Sequence, residues 1–215
     1  MDQVEASAAE IEYLCEGVNR YFEQSITSAD VVWTYAGVRP LVDDGSGKPE
    51  AATRGYRLDL SSESEGAPLL SVYGGKITSY RHLAEAAVDM LVPNLPALTG
   101  QEWTATQPLP GGDFATSGIG DLVADLRADH PFLAENEALR IARAYGTRAS
   151  VWLGEAKERV DLGRDFGEGL SQAEVDYLRC HEWALTVEDV LWRRSKLGLR
   201  LDASQQDELK NYLGN

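Results

Sequence analysis

The chain has 215 residues, 43% of them hydrophobic, and sets 20 Lys plus Arg against 35 Asp plus Glu, a formal charge of -15. That length and apolar content suffice for one large domain or two small ones, which excludes a disordered tail, and the acidic balance argues against a nucleic-acid-binding surface. Cys15 and Cys180 have no short-range partner, so neither a disulfide framework nor a thiolate zinc site is supported and a reducing compartment fits.

The first thirteen residues carry acids and no apolar run, unlike a secretory signal or an Arg-rich transit peptide, and the expectation is a cytoplasmic protein. Apolar stretches such as 30–38 and 69–73 fall far short of the ~20 residues that span a bilayer, so any membrane contact is peripheral.

Ser7-Ala-Ala-Glu10 has the spacing of a capping box, and Ile11, Leu14, Cys15, Val18, Tyr21 and Phe22 then recur at helical intervals, predicting a helix over 8–24. Residues 31–38, rich in β-branched and aromatic side chains, and 51–60, beyond the turn chemistry of Gly45-Ser-Gly47-Lys-Pro49, read as strands. A short buried strand is expected at 69–73. A helix over 78–91 follows, with Leu83, Ala86, Ala87, Met90 and Leu91 inward. Pro and Gly dominate 93–112, and every later element reads as a helix: 119–128, 135–145 ended by Gly146, and 148–157. Three more helix starts are marked by Ser171-Gln-Ala-Glu174, Thr186-Val-Glu-Asp189 and Asp202-Ala-Ser-Gln205. The expectation is an α+β chain. Residues 1–107 hold strands and two helices, and 108–215 form an all-α domain.

Dinucleotide binding through G-x-G-x-x-G needs bare backbone at a helix N-terminus, and Gly45-Ser-Gly47, Gly118-Ile-Gly120 and Gly167-Glu-Gly169 all lack the third glycine and the preceding strand. A phosphate-binding P-loop is also excluded, because Leu70 stands at its upstream glycine and Ile77 at its Ser/Thr. Tyr73-Gly-Gly-Lys-Ile-Thr78 does offer a tight turn from strand to helix, where free amides and Lys76 can face an anion or an electron-rich ring. The plainer alternative is a packing turn with a solvated lysine. Arg39 and Arg54 flank turns and suit bidentate recognition of phosphate or carboxylate, or else pair with Asp43, Asp44 or Asp59. His82, His130 and His181 lack metal-ligand spacing and read as packed or exposed, with no metal expected. Trp183, Trp192, Arg193 and Arg194 could form a partner surface, but aromatics at helical spacing read first as core.

Five segments together, 33–41 (WTYAGVRPL), 53–58 (TRGYRL), 69–78 (LLSVYGGKIT) with Tyr80-Arg81, 108–112 (PLPGG) and 189–198 (DVLWRRSKLG), resemble the C-terminal part of the FAD-dependent glycerol-3-phosphate dehydrogenases. These are quinone-linked enzymes of the D-amino-acid-oxidase-like flavoprotein class that end in an all-α domain. The resemblance implies oxidation of glycerol 3-phosphate at its C2 hydroxyl to dihydroxyacetone phosphate, with hydride passing to FAD and electrons to a membrane quinone. It places Arg39 and Arg54 on the family's substrate-anion arginines. Lys76 falls beside flavin and substrate as the catalytic lysine, with Gly74, Gly75, Ile77 and Thr78 lining the flavin. A homodimer and a peripheral contact with the inner membrane are compatible with it. The family's N-terminal half, with the main FAD-binding site and the histidine resembling a catalytic base, has no counterpart here. The alternative is a non-catalytic helical interaction module derived from such an enzyme.

Overall fold

A computed structural model describes residues 4–38, 55–61 and 66–214. Helix α1 (Ala8–Asn19) begins where its capping box predicts, the Ser7 amide donating to Glu10 Oε2 at 2.9 Å and the Glu10 amide to Ser7 Oγ at 3.3 Å. It stops earlier than the apolar period suggests. The Asn19 side chain donates to the Ile26 carbonyl at 2.9 Å and accepts the Ile26 amide at 2.8 Å, an alternative to continued helix that turns the chain back on itself. Past this turn Tyr21 and Phe22 are exposed, as is Leu14 within the helix, and Cys15 is its one buried residue.

A single 3-10 turn, Ser28–Asp30, leads into 31–38, where the expected strand does not form. β-Branched composition favours extended backbone, but a strand also needs a ladder, and no described segment pairs with this one. The paired strands are β1 (Tyr56–Ser61) and β2 (Leu69–Gly74), antiparallel in a register running from Tyr56 opposite Gly74 to Ser61 opposite Leu69. Residues 51–54 of the second expected strand lie outside the described residues. Tyr56, Leu58 and Leu60 share the half-buried face of β1, the alternation a one-sided sheet requires. A 3-10 turn (Ile77–Ser79) then runs into α2 (Tyr80–Leu91), whose inward positions Leu83, Ala86, Ala87, Met90 and Leu91 are half-buried as the periodicity predicts.

The chain divides into two compact units, Met1–Gln107 and Pro108–Asn215. The second is helical: α3 (Ile119–Asp129), α4 (Glu135–Tyr145), α5 (Ala149–Leu153), α6 (Gln172–Glu182), a π-helical turn (Asp189–Arg194) and α7 (Ala203–Leu213). Its core is continuous and large, with Ile141, Leu153, Phe166, Leu170, Leu178, Leu191 and Leu209 all under 2% exposed. Helix α5 ends sooner than expected because Gly154 takes φ +51, a conformation that stops a helix and suits glycine. Gly111 and Gly146 meet back to back. The Thr147 amide donates to the Gly111 carbonyl at 3.1 Å, and a Cβ on Gly146 would stand 1.8 Å from that same oxygen.

One aromatic read first as core is not. Trp183 closes α6 in the left-handed region at φ +54, and the chain then folds under so that the Ala184 amide reaches the Leu178 carbonyl at 3.1 Å. This motif buries Ala184 and turns its neighbours outward, leaving Trp183 82% exposed and Leu185 exposed. Trp192 does pack against the core, over Gly198.

Candidate functional site

The Gly74-Gly75-Lys76 turn is built by its neighbours in sequence. Strand β2 delivers Gly74 at φ +70 and Gly75 at φ +94, conformations that favour glycine. The Gly75 amide bonds the Gly55 carbonyl at 3.0 Å, and a Cβ on Gly75 would press to 3.2 Å from Leu83 and 3.4 Å from Tyr56. Hairpin and helix α2 therefore close onto bare backbone here. The first hydrogen bond of the following helical stretch is Ser79 N–H to Lys76 O, 3.0 Å, backed by Ser79 Oγ to the same oxygen at 2.8 Å. The amides of Lys76, Ile77 and Thr78 stand ahead of that bond, as the leading donors of any helix do. All three side chains are exposed.

The cations at this corner are sorted by their partners. Arg81 is forked onto Glu85 by Nη1 at 3.0 Å to both carboxylate oxygens. Glu85 also accepts the Thr104 hydroxyl, and that bond first, then Arg81, holds its carboxyl below the usual range. Arg57 pairs with Asp59 at 3.4 Å. Lys76 is exposed and makes no ion pair with a described residue. Three leading amides, an ammonium with no ion pair among the described residues and a glycine turn together could face an anion or an electron-rich ring. Arg39 and Arg54 lie outside the described residues, so of the expected site only Gly74, Gly75, Lys76, Ile77 and Thr78 are seen together.

The second unit holds a buried polar network that the sequence did not disclose. Glu174 is 0% exposed, and Arg140 grips both its oxygens, Nη1 at 2.6 Å and Nη2 at 2.8 Å, while Tyr145 Oη donates to it at 2.7 Å. Burial opposes the Arg140 charge, but the hydrogen bonds and attraction of Glu174 outweigh it and raise its pKa. Burial, and then Glu174, raise that of Tyr145. The Ser171 to Glu174 spacing looked like a full capping box. Only half of it forms, with the Glu174 amide donating to Ser171 Oγ at 3.3 Å while the carboxylate turns inward to Arg140. The pair is 34 residues apart, so no local pattern reveals it.

The histidines are dispersed. His130 is buried with Nδ1 2.9 Å from the Ala156 carbonyl, His181 stacks on Tyr177 at 4.9 Å, and His82 is exposed near Glu85. Among the described residues no group of three His, Cys, Asp or Glu could hold a metal, and no helix is long and apolar enough to cross a membrane.

Residues 103–211 match the family described as the C-terminal domain of alpha-glycerophosphate oxidase. Over 211 residues the chain is 46% identical to the aerobic glycerol-3-phosphate dehydrogenase of Escherichia coli and 48% identical to a glycerol-3-phosphate dehydrogenase of Pseudomonas aeruginosa, covering 98% of this chain in each case. The D-erythritol 1-phosphate dehydrogenase of Brucella abortus is 41% identical over 214 residues, all of this chain. The chain spans only 41% to 42% of the length of these curated relatives.

Proposed function

Because the chain belongs to the family of alpha-glycerophosphate oxidase C-terminal domains, we propose that it is the C-terminal segment of an FAD-dependent dehydrogenase that oxidises glycerol 3-phosphate to dihydroxyacetone phosphate and passes the electrons to quinone. The observation that carries this reading is the Gly-Gly-Lys turn, with Lys76 unpaired among the described residues beside the leading amides of a helical stretch. FAD, when bound, supplies the two-electron acceptor. Gly74, Gly75, Ile77 and Thr78 bring backbone close to the ring, and Lys76 places a positive charge where negative charge develops as substrate is oxidised. Arg39 and Arg54 clamp the substrate phosphate, a dianion that two guanidinium forks match.

The family resemblance at 46% and 48% favours the three-carbon substrate over the four-carbon one in the name of the 41% relative. The proposed site residues and the substrate are tested together in the full-length enzyme. Arg39→Ala and Arg54→Ala should each lower kcat/KM for glycerol 3-phosphate by about tenfold to a hundredfold, the scale of one lost charge-assisted hydrogen bond of roughly 1.5 to 3 kcal/mol. Unchanged kinetics in both variants would refute the clamp. A purified 215-residue chain should be colourless, because it lacks a dinucleotide fingerprint. Mixing it with the FAD-binding half should restore dye-linked oxidation. Silence in that mixture would favour the non-catalytic interaction module.

A further inference from the structure

A cleft of about 770 Å³ opens in the second unit, and four guanidinium groups line it: Arg140, Arg143, Arg159 and Arg200. In a chain of net charge -15 that is a concentration of positive charge against the trend. Two of the four are committed to structure. Arg140 is held on Glu174 and on the Gly169 carbonyl, 3.1 Å, and Arg159 is forked onto Glu137 at 2.9 and 2.5 Å. Arg143 and Arg200 are exposed and make no hydrogen bond or ion pair with a described residue. Of the other arginines described in the second unit only Arg127 shares that condition, and it is not part of the cleft wall.

The wall also carries carboxylates: Glu137 is taken by Arg159, Asp165 Oδ1 accepts the Gly167 amide at 2.8 Å, and Glu168 makes no hydrogen bond or ion pair with a described residue, so Asp165 and Glu168 balance Arg143 and Arg200 in charge but leave both guanidinium forks without a hydrogen-bond partner. The wall is also fixed in shape. Phe166 N–H to Leu170 O at 2.8 Å and Leu170 N–H to Gly167 O at 2.9 Å pin the loop that carries Glu168 and Gly169, and Gly169 lies so close to Glu137 that a Cβ would stand 2.8 Å from its carboxylate. Arginine forks on a rigid wall recognise oxyanions bidentately, and the volume is that of a metabolite site rather than of a single phosphate.

We propose that this cleft binds a small metabolite carrying two oxyanion groups, phosphate or carboxylate, with Arg143 and Arg200 as the groups that grip it. All of its lining residues belong to the second unit.

Calorimetric titration of the whole chain at low salt, with inorganic pyrophosphate in one arm and citrate in the other, tests this. Saturable binding of one anion per chain is expected, weakened at least about tenfold in the Arg143→Ala/Arg200→Ala double variant and unchanged in Arg127→Ala. The three arginines are exposed, so circular dichroism should match wild type in both variants. Tighter pyrophosphate identifies a phosphorylated ligand, tighter citrate a polycarboxylate, and either supports the site. Absence of saturable binding in both arms, binding that survives the double variant, or an equal loss in Arg127→Ala overturns it.

Discussion

Glu174 is the one carboxylate among the described residues that is completely buried. It is tolerable there because Arg140 and Tyr145 donate to both of its oxygens. Removing it leaves the largely buried Arg140 charge without its carboxylate, with only the Gly169 carbonyl still accepting from it. Glu174→Ala should cost about 3 to 5 kcal/mol, the usual penalty for breaking one side of a buried pair, read as a lower urea midpoint. An unchanged midpoint would mean that water reaches Arg140 freely. Asp189 works differently. Its carboxyl is held down at about 2, against an ordinary 3.8, chiefly by the Thr186 amide, with further bonds from Leu185, the Thr186 hydroxyl and Arg193 outweighing its desolvation. A depressed carboxylate adds stability above its unfolded pKa and loses it as pH falls toward the folded one. The melting-temperature gap between wild type and Asp189→Asn should therefore be full at pH 7 and close between about 4 and about 2. A gap that persists at the acid end would contradict the assignment.

At the scale of elements, helix starts were legible and several helix ends were not. Ser7 and Asp202 announce α1 and α7 because an N-cap is decided within four residues of chain, and the period of α4 is equally local. The ends are set by distant or unusual backbone: Asn19 reaching to Ile26, Trp183 in the left-handed region, and the Ser195 amide bonding Val190 at 3.0 Å to make a π turn where an ordinary helix was expected. The 31–38 segment shows the same limit, since composition prescribes extended chain but only a partner makes a strand. The glycine turn was legible because strand, glycines and helix are contiguous. The arginine cleft was not, because its residues come from positions 136 to 200 and only the packing of the second unit assembles them. The Gly111 and Gly146 contact supplies a direct test of such packing. Gly146→Ala combines a positive φ with a clash onto backbone and should lose at least about 2 kcal/mol of stability, more than Gly154→Ala, where φ is similar but the space is open. Equal losses in calorimetric melting would show that the backbones simply move apart.

At the scale of the whole molecule the two units differ in how well each is closed. The second has a continuous core; in the first, Cys15 is the one buried hydrophobic residue among those described, while Val32, Tyr21 and Ile77 are 86% to 87% exposed. A two-stranded hairpin is by itself marginal in water. The fragment 108–215 should accordingly be monomeric and melt cooperatively, whereas 1–107 should aggregate or associate through its strands. Hydrogen exchange and sedimentation on both pieces decide this, and a monomeric first fragment with slow exchange across 56–74 would defeat the expectation. The tryptophans give the second unit its own optical signature. Trp152 is buried, edge-on to Tyr145 at 5.6 Å, with an indole N–H that meets no acceptor, while Trp183 stands in solvent. In the fragment 108–215 a collisional quencher should silence Trp183 first, leaving the emission of buried Trp152 and of Trp192, which packs against the core, as a spectral report on whether this core is intact.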